Sequence, residues 1–154
     1  MVGLPVKNDV LPQPAPAVRH QPLLIDPQPL FLAALSGLLA GPPLNALVEA
    51  AGSSAVLDGS ARMPDVDLVL CDLRVEPVPA SEIAERLSRM PRPVPMILLG
   101  DTDEVAALLG TLSWPVSGFF TKDATIEELL AGVDAVLAGH RVIGERALEG
   151  LLDR

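Results

Sequence analysis

The sequence predicts an α/β protein: a doubly wound (βα)5 fold, with a five-stranded parallel sheet covered by helices on both faces. Three observations lead there. From Leu23 onward, short apolar runs alternate with segments of helical period, the pattern of βα units stacked on a parallel sheet. Two of those runs, Val66–Cys71 and Val94–Leu99, are nearly unbroken in apolar residues, as strands covered on both faces must be. Finally, 154 residues with 49% hydrophobic and 20% charged side chains suffice for one domain with a real core and not for two.

Taken in order, residues 1–21 read as a proline-rich arm, disordered or extended, because Pro5, Pro12, Pro14 and Pro16 prevent a helix from propagating. The prolines also offer PxxP spacing to a partner. The strands are expected at Leu23–Asp26, Ala46–Ala50, Val66–Cys71, Val94–Leu99 and Gly118–Thr121. The intervening helices are Leu30–Leu39, a weak Ser53–Arg62 interrupted by Gly59, Ala80–Met90 with Ile83, Leu87 and Met90 inward, and Asp103–Leu112. In Thr125–Ala138 the residues Ile126, Leu129, Leu130, Val133, Val136 and Leu137 form one buried stripe, and Thr125 caps a first turn holding Glu127 and Glu128. Residues 22–143 thus form the domain, and residues 144–154, with Ala147, Leu148, Leu151 and Leu152, a short extra helix or a linker.

Charge and composition remove several function classes. Eleven basic against twenty acidic residues give a net charge of −9, which repels phosphate backbones, so no direct nucleic-acid binding is expected. The longest apolar stretch, Pro29–Gly41, falls short of the about 20 residues that cross a bilayer, and residues 1–20 lack the apolar core of a secretory signal; no membrane association and a cytoplasmic location are expected. Cys71 stands alone, which excludes an internal disulfide, and its place in an apolar run reads as packing. His20 and His140 have no partners at ligand spacing and read as solvated, so no zinc site is expected. Trp114 is either a loop anchor or part of a contact surface. Pro27-Gln28-Pro29 stands where a glycine-rich phosphate loop would follow the first strand, which disfavours a nucleotide-binding enzyme.

In an open parallel sheet, ligands collect at the carboxyl ends of the strands, near the point where strand order reverses. The polar residues there are Asp26, Asp72, Gly100 with Asp101, and Lys122. Two carboxylates and a lysine at one edge make an acidic pocket with a cationic partner, suited to Mg2+ and a phosphoryl group.

Four blocks, LLIDPQPLF, PDVDLVLCDLRV, PMILLGDTDE and GFFTKDATIEELLAGVDAVLAG, occur in order over residues 22 to 143 and resemble response-regulator receiver domains of two-component signalling, of the NarL/LuxR type that precedes helix-turn-helix effectors. The resemblance implies a flavodoxin-like, CheY-like fold. It implies that Asp72 accepts a phosphoryl group from a histidine kinase, its carboxylate attacking phosphorus in line while metal and lysine neutralise the developing charge. It further implies that Lys122 pairs with Asp72 or the phosphoryl oxygens, that Asp26, Asp72 and the backbone carbonyl of Arg74 contact Mg2+, and that Phe119 is the switch aromatic.

Two departures set this chain apart from that family. The second of the usual adjacent acids after the first strand is Pro27, which has no side-chain oxygen, so Mg2+ should bind weakly or not at all. The family's serine or threonine at the end of the fourth strand is Gly100. The expectation is therefore an atypical receiver with no cofactor and no enzymatic turnover. It would signal through protein contacts independently of phosphorylation or weakly dependent on it, its pocket frozen by an Asp72–Lys122 pair. The face of the fourth helix, fifth strand and fifth helix would dock a partner or a second copy. Two alternatives remain: a phosphorylatable receiver that controls a DNA-binding effector, and a small flavodoxin-like ligand-binding domain that uses the same strand ends.

Overall fold

The segment Leu-Val-Leu-Cys-Asp at Leu68–Asp72 is buried along its whole length, which only a strand at the centre of a two-sided sheet achieves. Its period-2 alternation divides the core. Leu68 and Leu70 face one cluster with Leu35, Leu39, Leu129 and Val133; Val69 and Cys71 face the other with Ile83, Ala84, Leu87 and Val105.

The computed structural model describes residues 19–61, 63–109 and 114–153. Expectations for residues 1–18, Arg62, Leu112 and Arg154 lie outside the described residues. The elements are β1 (Pro22–Ile25), α1 (Pro29–Ala40), β2 (Glu49–Ala50), α2 (Ala55–Asp58), a 3-10 turn at Met63–Asp65, β3 (Leu68–Asp72), α3 (Ala80–Ser88), β4 (Met96–Gly100), α4 (Thr102–Leu109), β5 (Gly118–Thr121), α5 (Ile126–Leu137), β6 (Val142–Ile143) and α6 (Glu145–Leu152). All strands pair in parallel, in the order β2-β1-β3-β4-β5-β6. The residues of α1 and α5 fall in one cluster and those of α2, α3, α4 and α6 in the other. No helix among the described residues is long and apolar enough to cross a membrane.

The sheet has six strands where five were expected. After α5 the chain turns at Gly139, with φ +97°, and Val142–Ile143 pair with Gly118 and Phe119 on the free edge of β5. The last segment then folds back as helix: Ala147 is fully buried in the core, and α6 packs against α4 and β5. The face of α4, β5 and α5, expected to be a docking surface, is therefore partly covered from within the chain.

Other boundaries moved for local reasons. β2 is shorter than Ala46–Ala50 because the Ala46 and Leu47 amides donate to Leu39 and His20 carbonyls instead of to a ladder. β3 starts late because the Val66 amide closes the 3-10 turn onto Met63. α2 stops at Gly59, whose φ of +81° ends the helix. Thr125 caps α5 as expected, accepting from the Glu128 amide at 3.1 Å. Ile126, placed in the buried stripe, is 57% exposed. His20, read as solvated, pairs through Nδ1 with Asp67 Oδ2 at 2.7 Å, while His140 is exposed. Trp114 packs against the core as a loop anchor.

The contact between α5 and β5 depends on a missing side chain. A Cβ at Gly132 would lie 2.1 Å from Cζ of Phe120, a ring that is itself 1% exposed. Gly132→Ala gains about 1 kcal/mol of helix propensity, but overpacking a closed core costs about 1–3 kcal/mol. We expect the substitution to lower stability by up to about 2 kcal/mol, read as a lower urea midpoint at unchanged slope.

Candidate functional site

β1 and β3 are neighbours, and the chain leaves them in opposite directions across the sheet, so their carboxyl ends border the crevice of a doubly wound fold. Asp26 follows β1 and Asp72 ends β3; their side chains are 3% and 5% exposed. The two carboxylates are built alike. Each uses Oδ1 to accept the backbone N–H two residues on, Gln28 at 2.8 Å for Asp26 and Arg74 at 2.6 Å for Asp72, which shapes the loop leaving the strand. Each is left with Oδ2 for a cation.

That cation is Lys122, delivered by the residue after β5, with its backbone amide donating to the Gly100 carbonyl at 3.0 Å. Its Nζ lies 2.6 Å from Asp72 Oδ2 and 2.9 Å from Asp26 Oδ2. Asp26 Oδ2 meets no donor besides this ammonium, whose charge is its compensation. The same Nζ donates to Gln28 Oε1 and sits 4.4 Å from the centroid of the Phe31 ring. Desolvation pulls the lysine pKa down, but the hydrogen bonds and charges of Asp72 and then Asp26 outweigh it, and the result lies above the ordinary lysine value. Lys122 is therefore an ammonium at every physiological pH.

The other expected residues fall around this centre. A Cβ on Gly100 would lie 2.7 Å from Leu73 Cδ1 and 3.3 Å from Val105 Cγ2, so Leu73 fills the space where a serine or threonine side chain would stand. Phe119 is 7% exposed and belongs to the core cluster that includes Val105, Val116 and Ala147. The side chain of Arg74 is engaged as well: its Nε reaches Glu104 Oε2 at 2.5 Å and its Nη2 reaches Asp101 Oδ2 at 2.7 Å, tying the loop after β3, where its backbone carbonyl was expected to contact Mg2+, to the start of α4. Hydrogen bonding to Arg74 holds the Glu104 carboxyl below its usual range. Cys71 is fully buried, and burial followed by the Asp72 and Asp26 charges pushes its thiol pKa up, leaving it an inert packing group.

Sequence reasoning missed Gln28, Phe31 and the Arg74 guanidinium. Gln28 stands 94 residues from Lys122, so no local pattern links them. The one available signal was its position two residues after Asp26, where a carboxylate-shaped turn fixes the direction of the chain.

The donor set suits Mg2+ poorly. Mg2+ requires near-octahedral oxygen ligation and sheds water reluctantly. Here both Asp72 oxygens and Asp26 Oδ1 already have partners, Pro27 supplies none, and the remaining oxygen, Asp26 Oδ2, faces the ammonium. Among the described residues no group of three or more His, Cys, Asp or Glu side chains is placed to hold a metal ion.

Removing the ammonium strands two buried carboxylates. Lys122→Met is expected to cost about 3–5 kcal/mol at pH 7, the penalty for breaking a buried pair from one side. The double variant Asp26→Asn/Lys122→Met should recover part of that loss in urea unfolding. The pH dependence follows from the direction of the shift. A raised folded pKa means the contribution of Lys122 is complete below its unfolded value of about 10.4 and is lost as pH rises through the higher folded value. Thermal midpoints should therefore show an alkaline fall above about pH 10.4 that Lys122→Met lacks.

No protein-family model matches the sequence. The nitrate/nitrite response regulator protein NarP of Escherichia coli (strain K12) is 26% identical over 138 residues, covering 90% of this chain and 64% of NarP, so the chain spans just under two thirds of that relative. Among solved structures, the response regulator ChrA of a heme-sensing two-component system superposes with a TM-score of 0.71 at 21% identity, over 88% of this chain and 65% of ChrA. A LuxR-family two-component response regulator from Aurantimonas sp. SI85-9A1 gives 0.71 at 20% identity, over 88% of this chain and 96% of that one. The isolated receiver domain of RcsB from Salmonella enterica serovar Typhimurium gives 0.71 at 18% identity, over 86% of this chain and 99% of that domain. At these identities the structures speak for the fold, and the sequence relation to NarP speaks for descent. The chain thus has the fold of response-regulator receiver domains and a sequence similar to that of NarP.

Proposed function

We propose that this receiver signals through protein contacts without a phosphorylation switch, because a built-in ammonium occupies the place where a divalent cation would assist phosphoryl transfer. The carrying observation is Lys122 Nζ, 2.6 Å from Asp72 and 2.9 Å from Asp26, with Gln28 accepting from the same nitrogen. A phosphoryl group brings further negative charge to Asp72, and without a metal the cation in contact with that carboxylate among the described residues is Lys122. The second handle is missing too, since Gly100 carries no hydroxyl to follow a phosphoryl group.

Magnitudes favour a locked state. Moving a two-state domain from 1:99 to 99:1 takes about 5.5 kcal/mol, and breaking a buried ion pair from one side costs about 3–5 kcal/mol. The cradle around Lys122 is thus comparable to the whole switching energy. In this reading the domain performs no turnover, needs no Mg2+, works in the cytoplasm and acts on a partner protein or a second copy. The parts of α4 and α5 left free by β6 and α6 are the surface for that contact.

A second reading keeps the phosphorelay: Asp72 accepts a phosphoryl group from a histidine kinase and a DNA-binding effector responds. The kinship with NarP and the position of Asp72 at the end of β3 favour it. Acetyl phosphate with Mg2+ followed by intact mass decides between the two. We expect no adduct on the wild-type chain. An adduct that disappears in Asp72→Ala would overturn the phosphorylation-independent reading. The pair Pro27→Asp/Gln28→Ala, which adds a carboxylate and removes the Gln28 contact from Lys122, should raise any adduct yield above that of the wild type.

A further inference from the structure

We draw no further inference here: the strongest candidate, the apolar groove along the seam of α1 and α5 lined by Phe31, Leu35, Leu99 and Leu129, is open to solvent, and nothing in the structure shows what covers it.

Discussion

The ammonium of Lys122 is the constraint on which the functional end of this molecule depends. Two carboxylates nearly withdrawn from water are costly unless a charge compensates them, and one flexible side chain from a third strand does so at 2.6 and 2.9 Å. The arrangement links β1, β3 and β5, which are not all neighbours in the sheet, across the top of β4. It therefore closes the crevice and makes the position of each loop depend on the other two.

The loops are prepared for that role. Asp26 and Asp72 each spend one oxygen on the backbone two residues ahead, so their remaining oxygens are aimed before any cation arrives. Pro27 offers no side-chain oxygen, and the next residue, Gln28, accepts a hydrogen bond from the lysine. On the far side the Leu73 side chain closes over Gly100, where a built Cβ would meet its Cδ1 at 2.7 Å.

The other end of the chain changes what the outside of the domain offers. A bare β5 would present an open edge of amides and carbonyls. β6 covers that edge, and α6 buries Ala147 against α4 and β5. Phe119 lies beneath this cover, packed among Val105, Val116 and Ala147. A change in the pocket that reached Phe119 would have to disturb α6 as well, which connects the strand-end chemistry to that helix.

Much of this was legible in the order of residues. The near-continuous apolar runs at Val66–Cys71 and Val94–Leu99 announced buried parallel strands, Thr125 announced a cap, and Asp26, Asp72 and Lys122 followed from the rule that chemistry gathers at strand ends. These are local or periodic properties, carried by a few neighbouring residues at a time. Tertiary structure alone decided that β6 pairs with β5, that Ile126 faces outward, that His20 finds Asp67, and that Gln28 and Phe31 complete the seat of Lys122. Each of those is a contact across 20 to 94 residues, or a choice between two faces that hydrophobicity leaves nearly equal. Such choices are made by the packing of distant segments, and no window of sequence contains both partners.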